Sequence, residues 1–444
     1  MFYLANLIFT RSVLLLSFSL LVHSTLQCQR PNIIYIMTDD MGYGDLSAYG
    51  RKDFSTPHLD KLASQGIKFV NAYSAGPLCT PTRTAFMTGR YPAKTPVGLI
   101  EPLTGTKADT AFGLTNEIPT VASLMKASGY ETVLIGKWHL GLLAQHSPVK
   151  NGFDYFYGFH TGAEDYTSHK GEGRTHDFYE NDSVIYPQGY LTDLFSEKAM
   201  AFIKQVHHKP FFLTIAYNAP HWPWQGPDDK PYDDTVNFRK GGSPAIYAAM
   251  MKSLDDGIGN IMKTLDDEKL SGQTIVIFTN DNGGEKYSDN GGLANGKGTL
   301  WEGGIRVPAF VRWPNKIRAG ITTQQVAITM DWTTTILAVG KARVNSSFPP
   351  DGINLMPVML EKKRAAERTI YWRTFQRRKQ NAVREGKWKY LQDEKGEYLF
   401  DLLADYGEKN DRKENEKAIF NRLKKKYSNW EKTVLKPIPL NQEY

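Results

Sequence analysis

The stretch NIIYIMTDD at residues 32–40 is an apolar run that stops abruptly at two aspartates. Three later segments repeat the pattern: TVLIGKWH at 132–139, FFLTIAYNAPH at 211–221 and TIVIFTNDNG at 274–283. Short continuous runs rich in Ile, Val and Phe, without polar alternation, read as strands covered on both faces. Helical stretches separate them. In TPHLDKLASQG (56–66) Thr56 is suited to cap, Pro57 to the first turn and Gly66 to the end. In PTVASLMKASG (119–129) Gly129 closes the helix. Alternating strand and helix implies an α/β fold: a mostly parallel sheet with helices on both faces. Ligands of such sheets bind at the carboxyl ends of the strands. The residues after the four runs, Asp39, Asp40, Lys137, His139, His221, Asp281 and Asn282, are therefore expected to converge, although strand order does not follow from the pattern. Each alone reads more readily as a turn or cap residue; together, at four strand ends, they favour a site.

The chain has 444 residues, enough for one large α/β domain or a large domain with a smaller companion. Its start has the features of a signal peptide (1–28): Arg11, then the apolar VLLLSFSLLV at 13–22, then small residues Ser24 and Thr25 before Gln29. The apolar core is too short for a comfortable membrane span, and no other stretch is long and apolar enough. A lipid anchor on Cys28 is the alternative, with Gln27 a poor match to the small residue that modification prefers. Only two cysteines occur, Cys28 and Cys79. Disulfides are common in oxidising compartments, so this scarcity fits a bacterial periplasm or cell surface better than a eukaryotic secretory route. Asn181 and Asn345 match the glycosylation pattern, which is common by chance. The net charge of +7 points only weakly to acidic partners, and no nucleic-acid motif is present. The basic run RLKKKY (422–427) reads as the solvated side of a packed helix, with Ile419, Phe420, Leu423, Tyr427 and Trp430 on the other side.

Asp39, Asp40, Asp281 and Asn282 offer only oxygen ligands, and no Cys or His cluster has zinc spacing. Such a set favours Ca²⁺, or else Mg²⁺, and a cation explains why mutually repelling carboxylates would meet. Lys137, Lys297, His139 and His221 would then surround an anion, with charge from the lysines and hydrogen bonding or proton transfer from the histidines. Metal, lysines and histidines together suit transfer of a tetrahedral anion such as sulfate or phosphate. GGLANGKG (291–298) nearly matches a nucleotide P-loop, but Gly298 stands where a hydroxyl is required and no strand leads into it. A glycine-rich loop presenting Lys297 is the better reading.

Cys79 lies in LCTPTRT (78–84), with Pro81 placed for the first turn of a helix that continues to Gly89. The helix start favours an anion or ionised nucleophile, and Arg83 returns to the same face one turn later. A buried small hydrophobe is the simpler reading of an isolated cysteine, and a soft thiolate suits a hard-metal site badly. Here the sequence resembles the type I, formylglycine-dependent sulfatases of the alkaline-phosphatase-like superfamily. CTPTRTAFMTGRYP (79–92) looks like their C-x-P-x-R signature. RPNIIYIMTDDMGYGD, GKWHLG, NAPHWPW, TNDNGG and GKGTLWEGGIRVP resemble further blocks of the family in the right order across residues 30–340. The resemblance implies a large mixed sheet sandwiched by helices, and oxidation of Cys79 to Cα-formylglycine (3-oxoalanine), whose hydrate is the nucleophile. It implies metal ligation by Asp39, Asp40, Asp281, Asn282 and the modified Cys79. Arg83 would neutralise charge there, Lys137 and Lys297 would hold sulfate oxygens, and His221 would protonate the leaving alcohol with help from Lys297. His139 would assist the second hydroxyl in releasing sulfate. A formylglycine-generating or anaerobic maturase would be the modifying partner. The family often has Ser at Thr80 or Thr82; no ligand position is replaced.

These readings divide the chain into a signal peptide (1–28), a catalytic domain (30–344) and a C-terminal α+β subdomain (345–444). In the last, TIYWRTF, QNAVREGKWKYLQ and GEYLFDL read as antiparallel strands, followed by a helix around residues 418–434. Residues 151–190 lack periodicity and read either as a substrate-facing loop or as an ordinary excursion. Glu164, Asp165, His169 and His176 within it are too weakly placed to count as site residues. The expected function is hydrolysis of sulfate esters on a sulfated carbohydrate, such as an algal polysaccharide (ulvan, carrageenan) or a glycosaminoglycan fragment, by an exported enzyme. The alternatives are a phosphodiesterase or phosphonate hydrolase on the same scaffold, and a non-catalytic protein that binds sulfated glycans.

Overall fold

The computed structural model describes residues 30–105, 110–232 and 237–439. The expected signal peptide and Cys28 lie outside the described residues. The four apolar runs are strands: β1 (Asn32–Thr38), β4 (Glu131–Lys137), β8 (Phe211–Ala216) and β9 (Thr274–Asn280). They lie side by side in the order β9-β1-β8-β4, all parallel. The sheet is extended to ten strands by β5 (Tyr155–Phe159), β6 (Tyr179–Glu180) and β7 (Ser183–Val184) beyond β4. At the other edge come β10 (Ala309–Arg312), β2 (Ile67–Phe69) and β11 (Ile321–Thr323). β10 pairs antiparallel with both β9 and β2, so the sheet is mixed.

Side chains of β1 alternate between two cores, as the strand period requires. Ile34 and Ile36 join the cluster under the helices Pro57–Ser64, Leu191–Ile203 and Pro244–Asp267. Ile33, Tyr35 and Met37 join the cluster under Val121–Ala127 and Thr329–Val339. Every residue of β1 is buried, which explains the absence of polar alternation in NIIYIM. The helix Cys79–Thr88 docks on the second face through Phe86, which stacks on Tyr35 at 3.8 Å between ring centroids. It ends at Gly89, in the left-handed region at φ 69°.

Two local expectations change. Thr56 occupies the N-cap of Pro57–Ser64 but makes no capping bond; its hydroxyl donates to Asp60 instead. The carboxylate of Asp255 caps this helix from Pro244–Asp267, accepting the His58 and Leu59 amides at 3.1 and 2.8 Å. Gly66 follows the C-cap residue Gln65, and its need for no side chain comes from tertiary packing: a Cβ there would lie 2.0 Å from the Val311 carbonyl oxygen of β10. The capping of Val121–Ala127 is local, with Thr120 and Ser123 forming a capping box.

Beyond the large sheet, β13 (Thr369–Thr374), β14 (Gln380–Glu385), β15 (Trp388–Gln392) and β16 (Glu397–Asp401) form an antiparallel four-stranded sheet. The helix Lys417–Glu431 packs Leu423 and Tyr427 against it, with Ile419, Phe420 and Trp430 alongside. Its basic run is not wholly solvated: Arg422 and Lys426 pair with Glu385, and Lys424 with Glu397. A charged network ties this sheet to the short helix Glu302–Ile305 and to Tyr73, segments that lie beside the large one. Lys389 of β15, fully buried, lies 3.0 Å from Glu302 and 2.7 Å from Glu408. Glu302 also accepts from Tyr73 at 2.7 Å, and Arg384 donates to the same tyrosine. Removing one member of a buried charge network leaves its partners desolvated and unpaired. Lys389→Ala is therefore expected to lower unfolding stability by about 3–5 kcal/mol, read as a fall in the denaturation midpoint. A change under about 1 kcal/mol, the size of a surface pair, would show that the network does not hold the two sheets together.

Candidate active site

The carboxyl ends of β1, β4, β8 and β9 open onto one place. β1 delivers Asp39 and Asp40, β4 delivers Lys137 and His139, the turn after β8 delivers His221, and the turn after β9 delivers Asp281 and Asn282. The parallel registers Met37↔Thr279 and Met37↔Ala216 bring three of these ends level. A fourth is fitted closely at Gly136, where φ is +113° and a Cβ would lie 2.0 Å from the Ala216 carbonyl oxygen. Asp40 and His139 are non-glycine residues in the left-handed region, at φ 64° and 56°. Such conformations cost energy and persist where the surroundings over-determine them.

Asp39, Asp40 and Asp281 are buried, at 0, 3 and 0% exposure. Arg83, one turn into the Cys79–Thr88 helix, donates to Asp39 at 3.3 Å and to Asp281 at 3.0 Å. Its other amino group donates to the Lys137 carbonyl at 3.1 Å. Lys137 is fully buried and bonded to Asp39. Lys297 lies 2.5 Å from Asp40 and 3.5 Å from Glu285. His221 Nε2 stands 3.5 Å from Asp40, and its Nδ1 2.5 Å from the Trp222 carbonyl oxygen. Asn282 donates through Nδ2 to Asp40 at 2.7 Å. Asp39, Asp40, Arg83, Lys137, His221, Asp281, Asn282 and Lys297 thus form one connected cluster.

The charge states follow from this packing. Burial alone would raise Asp39, but Lys137, His221 and Arg83 outweigh it and hold its carboxyl well below the usual range. Burial, reinforced by Asp39, pushes Asp281 up to about 7 despite Arg83. Burial also raises the Cys79 thiol, only partly offset by Lys137. Cys79 in this setting is a protonated thiol and a weak nucleophile. Burial and then Lys297 lower His221 to about 3, and burial and then Lys137 hold His139 well below the usual imidazole range; both rings are neutral near pH 7. Lys297 is raised: its burial is outweighed by Asp40 and Glu285.

The donor set suits a hard cation. One ligand atom each from Asp39, Cys79 and Asp281 lie within 4.8 Å of one another, and so do those of Asp39, Asp40 and His221. Asp39 Oδ1 and Asn282 Oδ1 are buried without a hydrogen-bond partner. Buried acceptors of this kind are ordinarily satisfied, and an ion with oxygen ligands would satisfy both.

Above the cluster lies a cleft of about 1110 Å³. Cys79, His139, His221 and Lys297 line it. Lys137 is not among its lining residues: it sits beneath, bonded to Asp39, with its charge acting on the Cys79 thiol. The segment 161–175 forms one wall, within the stretch left open as a loop or an excursion. Of its acids Asp165 is structural, accepting amides from Thr167, Ser168 and Tyr232, while Glu172 lines the cleft. Several participants carry no sequence signal. Thr80 accepts the Leu103 amide at 3.1 Å and donates to the His139 carbonyl at 3.2 Å. Asn280 bridges Thr38, Met41 and Asn282. Trp222, Arg239, Arg377 and Arg378 reach the cleft from remote segments.

Comparison with known proteins agrees with this arrangement. The family model described as Sulfatase matches residues 31–342, and that described as N-sulphoglucosamine sulphohydrolase, C-terminal, matches residues 295–433. N-acetylgalactosamine-6-sulfatase of Homo sapiens is 35% identical over 373 residues, covering 78% of this chain and 69% of that protein. The solved structure of Ps i-CgsB with k-i-k-neocarrahexaose superposes with a TM-score of 0.84 at 31% identity, covering 94% of this chain and 96% of that one. PsFucS1 sulfatase from Pseudoalteromonas sp. superposes with a TM-score of 0.75 at 26% identity, covering 94% and 93%. The chain belongs to the sulfatase family, sulfuric ester hydrolases on the alkaline-phosphatase-like fold.

Proposed function

We propose that this sulfatase hydrolyses sulfate esters of a sulfated carbohydrate, using Cα-formylglycine derived from Cys79 and a bound divalent cation, Ca²⁺ before Mg²⁺. One observation carries the reading. Cys79 is buried at a helix start among Asp39, Asp281 and Arg83, on the floor of a cleft wide enough for a sugar. As a thiol it is held protonated and fits an oxygen-ligand site poorly. As a hydrated aldehyde it would present oxygens that suit both the cation and attack on sulfur. N-acetylgalactosamine-6-sulfatase is named for a sugar and Ps i-CgsB is solved with k-i-k-neocarrahexaose, which supports that substrate class, whereas steryl-sulfatase of Homo sapiens is named for a sterol. An exported location, periplasmic or at the cell surface, is part of the same reading. No helix among the described residues is long and apolar enough to cross a membrane.

The cation would be held by Asp39, Asp40, Asp281, Asn282 and the modified Cys79, and would supply Lewis-acid stabilisation of negative charge. Arg83, fixed by Asp39 and Asp281, keeps positive charge beside the nucleophile. Lys297, held protonated, attracts the sulfate oxygens and serves as a reserve of protons. Lys137 sets the position of Asp39 and adds charge from beneath. The negative charge of an entering sulfate ester favours protonation of His221 at Nε2, from which the proton passes to the leaving alcohol. His139 bonds through Nε2 to the Leu103 carbonyl at 2.8 Å, leaving a buried, unpartnered Nδ1. A neutral imidazole so oriented accepts a proton. Taking it from the second hydroxyl of the diol lets the carbon–oxygen double bond re-form and expels sulfate. A serine has no second hydroxyl.

Three outcomes test this. Cys79→Ala is expected to abolish sulfate release from a panel of sulfated sugars, while phosphodiesters and phosphonates are turned over poorly by the native protein. Retained turnover in the variant, or preference for the phosphorus esters, would contradict the reading. Cys79→Ser is expected to release one equivalent of alcohol and then stop as a sulfated protein, seen as a single added sulfo group in the intact mass; continuous turnover would sink the role given to the diol. Chelation is expected to remove activity and lower the melting temperature, with Ca²⁺ restoring both better than Mg²⁺. Full activity in the demonstrably metal-free protein would refute the cation site.

A further inference from the structure

The small C-terminal sheet reaches the cleft through two turns. The β13–β14 turn places Arg377 and Arg378 in its lining, and the β15–β16 turn places Glu394 and Lys395 there. The first turn is rigidly held. Glu101 accepts the Phe375 and Gln376 amides at 2.8 and 2.9 Å, and its own amide donates to Gln376 at 2.7 Å. Thr374 donates to the Arg378 carbonyl at 2.5 Å, and Glu394 accepts the Lys379 amide at 3.2 Å. Gln380, at the end of the turn, accepts the Leu300 amide at 2.7 Å. The turn is thereby fixed relative to the loop that carries Lys297.

Two exposed guanidinium groups are thus presented by a prearranged backbone; neither makes a hydrogen bond or ion pair with a described residue, and Arg377 and Arg378 act on Glu101 and Glu394 only through space. The other charges at the mouth are largely answered. Glu285 lies 3.5 Å from Lys297, Glu172 lies 4.0 Å from Arg239, and Glu394 is engaged by Lys379 and Gln380. Arginine in a preformed site is the side chain best matched to a planar carboxylate or a sulfate.

We infer that Arg377 and Arg378 form a subsite for a second anionic group on the substrate, a sulfate or carboxylate borne by the sugar next to the one being desulfated. The proposal rests on the sulfatase reading and narrows its substrate to oligosaccharides with more than one negative charge. The pair discriminates among substrates and takes no part in bond breaking.

Binding to the full chain carrying Cys79→Ala measures this without depending on turnover. The probes are a disaccharide sulfated on both sugars, its analogue sulfated on one, and a singly sulfated disaccharide whose second sugar is a uronic acid. The doubly charged probes are expected to bind more tightly than the singly sulfated one. Adding Arg377→Ala and Arg378→Ala is expected to shrink that preference roughly fivefold to tenfold, and Lys at both positions to restore part of it. Which doubly charged probe loses more identifies the second group as sulfate or carboxylate. An unchanged preference in the double Ala variant would overturn the subsite. So would an equal weakening of all three probes, because that is nonspecific attraction. Failure of the native protein to release sulfate from any probe would refute the parent reading instead, leaving the binding result to stand by itself.

Discussion

Three carboxylates buried together at the ends of adjacent strands are the constraint that organises this molecule. Two carboxylates about 5 Å apart in a protein environment repel by roughly 3 kcal/mol, before the cost of taking them out of water. Asp39, Asp40 and Asp281 are fully or nearly buried. Positive charge must be delivered to them, and the chain does so from three directions. Arg83 comes from the Cys79–Thr88 helix, Lys137 from the end of β4, and Lys297 from the glycine-rich loop. A single positive group is insufficient: Asp39 is held strongly ionised, while Asp281 is still raised to about 7. A cation with oxygen ligands would complete the neutralisation and satisfy the two unpartnered oxygens of Asp39 and Asn282.

This constraint explains why so much of the site was legible in the residues. Buried parallel strands leave an unmistakable mark because both faces must be apolar, so NIIYIM and TIVIFT stand out and their ends can be located to within a residue. Polar groups at those ends then have one place to go. Cys79 was informative for the opposite reason, as a thiol that suits its helix start but not its hard neighbours without modification. Resemblance to a family supplied the modification, which no spacing argument contains.

What the residues did not disclose is tertiary. The order β9-β1-β8-β4 depends on crossover choices that the local pattern does not encode. Thr56 looked like a cap, yet Asp255 from a distant helix does that work. Thr80 and Asn280 bind the site through backbone groups of other segments, and nothing in a linear reading marks such contacts. The same holds for Arg377 and Arg378, which sit in an unremarkable turn far along the chain. They reach the cleft because the small sheet is docked beside it by an apolar cluster, by the Lys389–Glu302–Glu408 network and by the bonds of Glu101 and Gln380 to the turn.

The central claim is that a buried, protonated and chemically ill-suited thiol is the precursor of the working group. Mass spectrometry of the peptide containing Cys79, taken from protein made alongside a maturing enzyme, measures this most directly. The account predicts the mass of the aldehyde in place of the thiol, and sulfate-releasing activity that scales with the aldehyde fraction across preparations. Full activity in a preparation whose Cys79 is entirely unmodified would contradict it.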